Sequence, residues 1–177
     1  MAKLSKPVFL CGMMASGKTV NGKILADKLG IPFHDSDRNI ENCEKMSIPE
    51  IFKKEGENYF RNCERNIIGK LCNITKPAII SLGGGSLQNQ STVDQIKSAG
   101  WLVYLHTPEN TLIKRLKSSE NRPLLQEKDR SAKIKKLLSE RLIFYRQAHL
   151  TIDTNQKSPS QVTDEILEQI RNYEEHN

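Results

Sequence analysis

Gly12-Met13-Met14-Ala15-Ser16-Gly17-Lys18-Thr19 fits the pattern G-x-x-x-x-G-K-[ST], and its flanks decide how it is read. Before it, Pro7 to Cys11 is a short apolar run of strand type. After it, Lys18 to Leu29 carries Val20, Ile24, Leu25 and Leu29 close to helical spacing, with Gly30 as a stop signal. Strand, glycine-rich turn and helix in that order make a phosphate-binding loop, because successive backbone N–H groups point inward and the helix dipole adds positive potential. Lys18 then reaches the β- and γ-phosphates of a nucleotide and the Thr19 hydroxyl ligates Mg2+. A glycine-rich turn without a ligand is the plain alternative, and the strand before and helix after argue against it.

Working outward, short β-rich runs alternate with longer amphipathic ones, the pattern of an α/β fold in which a parallel sheet is covered by helices. Strands are expected at Ile31 to His34, Ala78 to Leu82, Trp101 to His106 and Leu150 to Asp153. Ser47-Ile48-Pro49-Glu50 has the form of a capping box, and two helices broken near Gly56 should fill the region to Cys72. Ser91-Thr92-Val93-Asp94 opens another helix, and Thr107-Pro108-Glu109 the next, with proline where its missing N–H costs nothing. Leu138, Leu142 and Tyr145 mark the inner face of a later helix, and Ser160 to Asn172 forms a closing one. Ser118 to Arg130 is charged, lacks periodicity and contains Pro123, so it reads as a mobile loop of lid length.

The 177 residues, 37% hydrophobic, suffice for one domain with a core that needs no disulfide or metal staple. Cys11, Cys43, Cys63 and Cys72 form no C-x-x-C pair and are expected free and mostly buried. Lys3, Lys6 and the apolar run after them faintly imitate a signal peptide, but the loop motif follows directly, and no stretch is long enough to span a membrane. A cytoplasmic chain without membrane contact is expected. The net charge of +6 welcomes anions, yet Lys and Arg are interspersed with Asp and Glu rather than blocked into a nucleic-acid arm.

Asp35-Ser36-Asp37 follows the second strand, so its carboxylates should emerge at the carboxyl edge of the sheet, where ligands of open α/β folds bind. Strand alternation would put both on one side. One can hold a metal-bound water while the other accepts a proton from an attacking hydroxyl; equally, Asp37 is a good cap for a helix after it. Gly83-Gly84-Gly85 ends the third strand as a site of close backbone approach or as a plain tight turn. Arg61, Arg122 and Arg141 are unexceptional alone, and Arg61 with Glu64 three residues on fits a helical ion pair.

Taken in order, Gly12 to Thr19, Asp35-Ser36-Asp37, Gly56 to Glu64 with Phe60-Arg61, Ser81 to Gly85, Arg122-Pro123-Leu124-Leu125, Arg141 to Arg146 and Asp153-Thr154-Asn155 resemble shikimate kinase, a family of small P-loop kinases, over nearly the whole chain. The resemblance implies a five-stranded parallel sheet with helices on both faces, one kinase domain over 1–177, a substrate-binding helical segment about 37–65 and a lid about 118–130. It implies Mg2+-dependent transfer of the ATP γ-phosphoryl group to the 3-hydroxyl of shikimate, a step toward chorismate and the aromatic amino acids.

By the same resemblance Gly12, Met13, Met14, Ala15, Ser16, Gly17, Lys18 and Thr19 bind ATP, with Thr19 and, through water, Asp35 on Mg2+. Asp37 is the base on the shikimate hydroxyl. Arg61 and Arg141 hold the carboxylate, which suits planar guanidinium forks, and Gly83, Gly84 and Gly85 line the substrate. Arg122 closes with the lid onto the phosphates, while Arg115 and Pro159 sandwich adenine. A monomer is expected. Ala15 stands where the family has glycine, Val20-Asn21 replace Thr-Val, and Ile143 replaces proline. The rivals are a kinase for gluconate or a nucleoside monophosphate, and a non-catalytic ATP- or RNA-binding module. The arginine pair with Asp37 favours a small hydroxy acid, and paired carboxylates beside phosphates speak against the module.

Overall fold

The computed structural model describes residues 4–117 and 130–175. β1 (Val8–Cys11) ends at the loop motif and α1 (Lys18–Leu29) begins inside it. There follow β2 (Phe33–Asp35), α2 (Ser36–Glu44), α3 (Ile48–Lys54), α4 (Gly56–Cys72), β3 (Ile79–Ser81), α5 (Gln90–Ala99), β4 (Trp101–His106), α6 (Glu109–Lys117), α7 (Arg130–Tyr145), β5 (Leu150–Asp153) and α8 (Pro159–Glu175). Among the described residues the strands form one five-stranded sheet in the order β2-β3-β1-β4-β5, every neighbouring pair parallel. The expected α/β architecture is what the chain adopts.

β1 is central and wholly buried, which is why it reads as an unbroken apolar run rather than an alternating one. Its alternation feeds two cores. Val8 and Leu10 pack with Ile79, Val103 and Ile152 under Leu25 of α1 and Val162, Ile166 and Ile170 of α8. Phe9 and Cys11 pack with Ile80, Leu102 and Tyr104 under Ile40, Phe60, Ile68, Ile96 and Tyr145. Each such side chain contributes about 1.5–3 kcal/mol by leaving water, so helices on both faces are required. A third cluster, Met13 with Leu112, Leu116 and Ile134, ties the loop to α6 and α7. Because the chain passes from β1 to β2 and β3 on one side and to β4 and β5 on the other, the carboxyl end of β1 opens into a crevice.

Several expectations shift. The buried face of α1 runs through Asn21, Gly22, Leu25 and Ala26, while Val20 is 54% exposed. Close packing decides this: a side chain at Gly22 would run into Phe33 at 2.6 Å and Leu10 at 3.3 Å, so the backbone itself lies on the sheet. β2 runs Phe33–Asp35 rather than starting at Ile31. α5 starts at Gln90, capped by Asn89, whose Oδ1 accepts the Thr92 N–H at 2.9 Å. At α3 the Glu50 carboxylate takes both the Ser47 N–H at 2.8 Å and the Ser47 hydroxyl at 2.6 Å, so the box signal was sound. All four cysteines are free, but only Cys11 is buried and Cys43 is exposed. Residues 118–129, with Arg122 and nearly all of the expected lid, lie outside the described residues. Among the described residues no helix is long and apolar enough to cross a membrane.

Candidate active site

The loop turns through left-handed conformations at Gly12 (φ 141°), Ala15 (φ 63°) and Gly17 (φ 91°). Lys18 is 9% exposed and donates to the carbonyls of Gly12 at 2.9 Å and Met13 at 3.0 Å, which holds its ammonium over the loop. The Gly17 carbonyl accepts both the backbone N–H and the side-chain amide of Asn21, each at 2.9 Å. Arg115 reaches from α6 to donate to the Ala15 carbonyl at 3.1 Å. Beside the loop lies a cavity of about 400 Å3 whose walls include Gly17 to Asn21, Arg115, Thr154 and Pro159. Arg115 and Pro159, far apart in sequence, are thus brought to one space. Cys11 lies just beneath; burial pushes its thiol up to about 12, so it stays protonated and inert.

Asp35 is placed by register, opposite Ser81 on β3, at the carboxyl edge of the sheet. Its Oδ2 accepts the Thr19 hydroxyl at 2.8 Å, and Thr19 Oγ1 lies 3.4 Å from Ser81 Oγ. Its Oδ1 accepts the N–H groups of Asp37 at 3.1 Å and Arg38 at 3.4 Å, capping α2. The strand-alternation argument for the two aspartates therefore fails: α2 starts at Ser36, and Asp37 sits in its first turn. It is also Asp35, not Asp37, that caps. Asp35 meets the loop through Thr19, and the Asp37 carboxylate lies against Gly83 of the glycine turn. Hydroxyl and carboxylate oxygens at a phosphate loop suit Mg2+, which keeps several waters and takes few protein ligands. Among the described residues no group of three or more His, Cys, Asp or Glu forms a metal cage.

The three glycines each admit a different neighbour. A Cβ on Gly83 would collide with Asp37 Oδ1, and the Gly83 N–H donates to Ser36 Oγ at 2.8 Å. A Cβ on Gly84 would lie 3.1 Å from the Met14 backbone nitrogen, so the turn rests directly on the phosphate loop. A Cβ on Gly85 would meet Arg61 Nη1 at 3.1 Å and Arg141 Nη2 at 3.3 Å. Close approach, rather than a plain tight turn, is what these residues serve.

Arg61 pairs with Glu64 at 2.8 Å and Glu57 at 3.2 Å. Glu64 is 4% exposed and also accepts the Ser86 hydroxyl at 2.9 Å, so its charge is fully matched on both oxygens. Arg141 donates to the Gly84 carbonyl at 2.9 Å, and Tyr145 donates to the same oxygen at 2.6 Å. Burial pushes the Tyr145 hydroxyl well above its ordinary range and keeps it a donor. Between α4 and the turn lies a second cavity of about 360 Å3, walled partly by Arg61, Glu64 and Ser86. Sequence reading missed the depth of Glu64 and the parts of Ser36, Ser81, Ser86 and Tyr145; for Glu64 the spacing to Arg61 was the available signal.

This loop, at the switch point of this sheet and in contact with a glycine turn on which Arg61 and Arg141 converge, places the molecule among the P-loop kinases. A family model described as shikimate kinase matches residues 14–171. The chain is 42% identical over 166 residues to the shikimate kinase of Sulfurihydrogenibium sp. (strain YO3AOP1), covering 94% of this chain and 98% of that one. It superposes on the shikimate kinase from Acinetobacter baumannii in complex with shikimate with a TM-score of 0.89 at 37% identity, covering 95% and 94% of the two chains. The chain belongs to the shikimate kinase family, the ATP-dependent kinases that phosphorylate shikimate. A gluconokinase from Sinorhizobium meliloti 1021 shares the fold at a TM-score of 0.62 and 17% identity, over 99% of this chain and 97% of that one.

Proposed function

We propose that the chain transfers the ATP γ-phosphoryl group to the 3-hydroxyl of shikimate, giving shikimate 3-phosphate and ADP, with Asp37 as the base. One observation carries this reading: Asp37 Oδ1 lies against Gly83, while Arg61 and Arg141 converge over Gly85 two residues on. A carboxylate-bearing acceptor held by the two guanidinium groups would present a hydroxyl toward Asp37 and the phosphate loop.

Asp37 takes the proton as the hydroxyl oxygen attacks phosphorus in line, the bond to the β-phosphate oxygen breaks, and ADP leaves. Lys18 and the amides from Gly12 to Thr19 orient the phosphates and offset their charge, and Arg115 and Pro159 flank adenine. Thr19 and, through water, Asp35 would hold Mg2+, which when bound neutralises charge on the β- and γ-phosphates. Arg122 on the lid adds a further cation, and lid closure keeps water from accepting the phosphoryl group. All these residues belong to one chain, so a monomer in the cytoplasm, where ATP is at hand, is complete.

An ADP-release assay offering shikimate, gluconate and nucleoside monophosphates in parallel tests the reading. Turnover is expected with shikimate alone. Turnover of only gluconate or nucleotides overturns the substrate assignment.

A further inference from the structure

We propose that Gln88 is a further substrate-binding residue, its side-chain amide acting with Arg61 and Arg141 on the acceptor's carboxylate. This rests on the assignment of those two arginines given above.

Gly85 carries no side chain, and that bareness lets three other side chains approach its backbone closely. The point where its Cβ would stand is 3.1 Å from Arg61 Nη1, 3.2 Å from Gln88 Nε2 and 3.3 Å from Arg141 Nη2. Three nitrogen donors, from α4, the turn after β3, and α7, thus close on one point from three parts of the fold. The two arginines have protein partners as well, Glu57 and Glu64 for Arg61 and the Gly84 carbonyl for Arg141. Gln88 has none among the described residues, although it lies on the wall of the second cavity beside Arg61.

The Gln88 amide nitrogen thus stands near two guanidinium groups and their positive charge without a protein acceptor among the described residues. A carboxylate between the three groups removes the conflict. Its two oxygens offer about four lone-pair sites, enough for two guanidinium groups and an amide together. A neutral donor also has an advantage over a third cation. It adds a hydrogen bond to the bound carboxylate without adding repulsion to the free enzyme, where Arg61 and Arg141 already approach the same point. Gln88 therefore raises selectivity for a carboxylate over a neutral group at that position.

The test uses the full chain with Gln88→Ala and Gln88→Glu, measuring steady-state kinetics with shikimate varied at saturating ATP, shikimate affinity by calorimetry, and thermal melting. Loss of a hydrogen bond to a charged group predicts about a 10-fold rise in KM and Kd for shikimate in Gln88→Ala, with KM for ATP unmoved. Gln88→Glu should raise both further, because its own carboxylate occupies the arginines in the substrate's place. Shikimate KM and Kd within twofold of wild type in both variants overturn the proposal. So does an equal loss for ATP accompanied by a lower melting temperature, which marks a merely structural role. Failure of the wild-type enzyme to phosphorylate shikimate is read separately: it overturns the proposed function, and this inference with it.

Discussion

Ala15 holds a left-handed φ of 63° in the phosphate loop, where its Cβ is crowded by the backbone and glycine is not. The strain is about 1–2 kcal/mol, against about 0.8 kcal/mol for the methyl group packed beside Met13 and Leu112. Strain wins narrowly, so Ala15→Gly should raise the melting temperature by about 1–3 °C. A lower value in a thermal melt would show that the methyl contacts dominate. At Asp37 the prediction concerns chemistry. Asp37→Asn should lower kcat by about 10²–10⁴-fold and leave ATP affinity, measured by titration, nearly intact. An active Asp37→Asn enzyme would rule out the base assignment. Arg61→Ala and Arg141→Ala should each weaken shikimate binding by about 2–5 kcal/mol and ATP binding far less. They differ in a second readout: Arg61→Ala strands the buried Glu64 charge on Ser86 alone and should melt lower, whereas the Gly84 carbonyl keeps Tyr145 when Arg141 is lost.

Elements meet at the glycine turn, where α2 brings Asp37, α4 brings Arg61, and α7 brings Arg141 and Tyr145 against a backbone that rests on the phosphate loop. Tyr145, stacked on Tyr104 of β4 with ring centroids 5.1 Å apart, fixes one of two donors on the Gly84 carbonyl. Tyr145→Phe keeps the ring and loses the hydroxyl, at about 1 kcal/mol. The turn should loosen, and kinetics should show a several-fold rise in KM for shikimate with KM for ATP unchanged; equal shifts for both would place the effect in the core instead. The same junction explains what sequence reading could and could not reach. The loop motif, Gly30, the Ser47-to-Glu50 cap and the apolar strands are local patterns, and each appears where its residues put it, within a residue or two. A helix after the second strand was expected, but its start at Ser36 was hidden because a strand end and a helix start share Asp35, one carboxylate serving both the cap and Thr19. The outward turn of Val20 was hidden too, since it follows from Gly22 packing on Phe33, a contact set by β2. Bonds such as Glu64 to Ser86 and Tyr145 to Gly84 join elements distant in sequence and leave no periodic trace.

At the scale of the whole molecule the sheet has a working edge and a structural one. The carboxyl ends of the strands carry the residues proposed to bind ligands, while the amino ends gather Trp101, His149 and Tyr173, with Lys6 at 4.2 Å from the Trp101 ring centroid and Glu174 accepting the indole N–H at 3.3 Å. His149 Nδ1 accepts the Leu102 N–H at 3.0 Å, a bond only the unprotonated nitrogen makes. Burial chiefly, then Lys97 and Lys6, holds its pKa below the usual 6.5. The unfolded chain therefore binds a proton more readily than the folded one in the interval below 6.5. Stability from this group is complete above that pH and is lost as pH falls toward the folded value. Glu50 and Asp164, whose pKa values are also lowered in the fold, lose their contributions only in the more acidic range of carboxylates. Denaturant unfolding at pH 7.5 and 5.5 should show the wild type weakened at the lower pH. His149→Asn, with an amide oxygen available to the Leu102 N–H and no proton to gain, should show a smaller difference between the two. An unchanged difference would remove His149 from the account, and equal activity of both proteins at pH 7.5 would show that the structural edge is uncoupled from the working one.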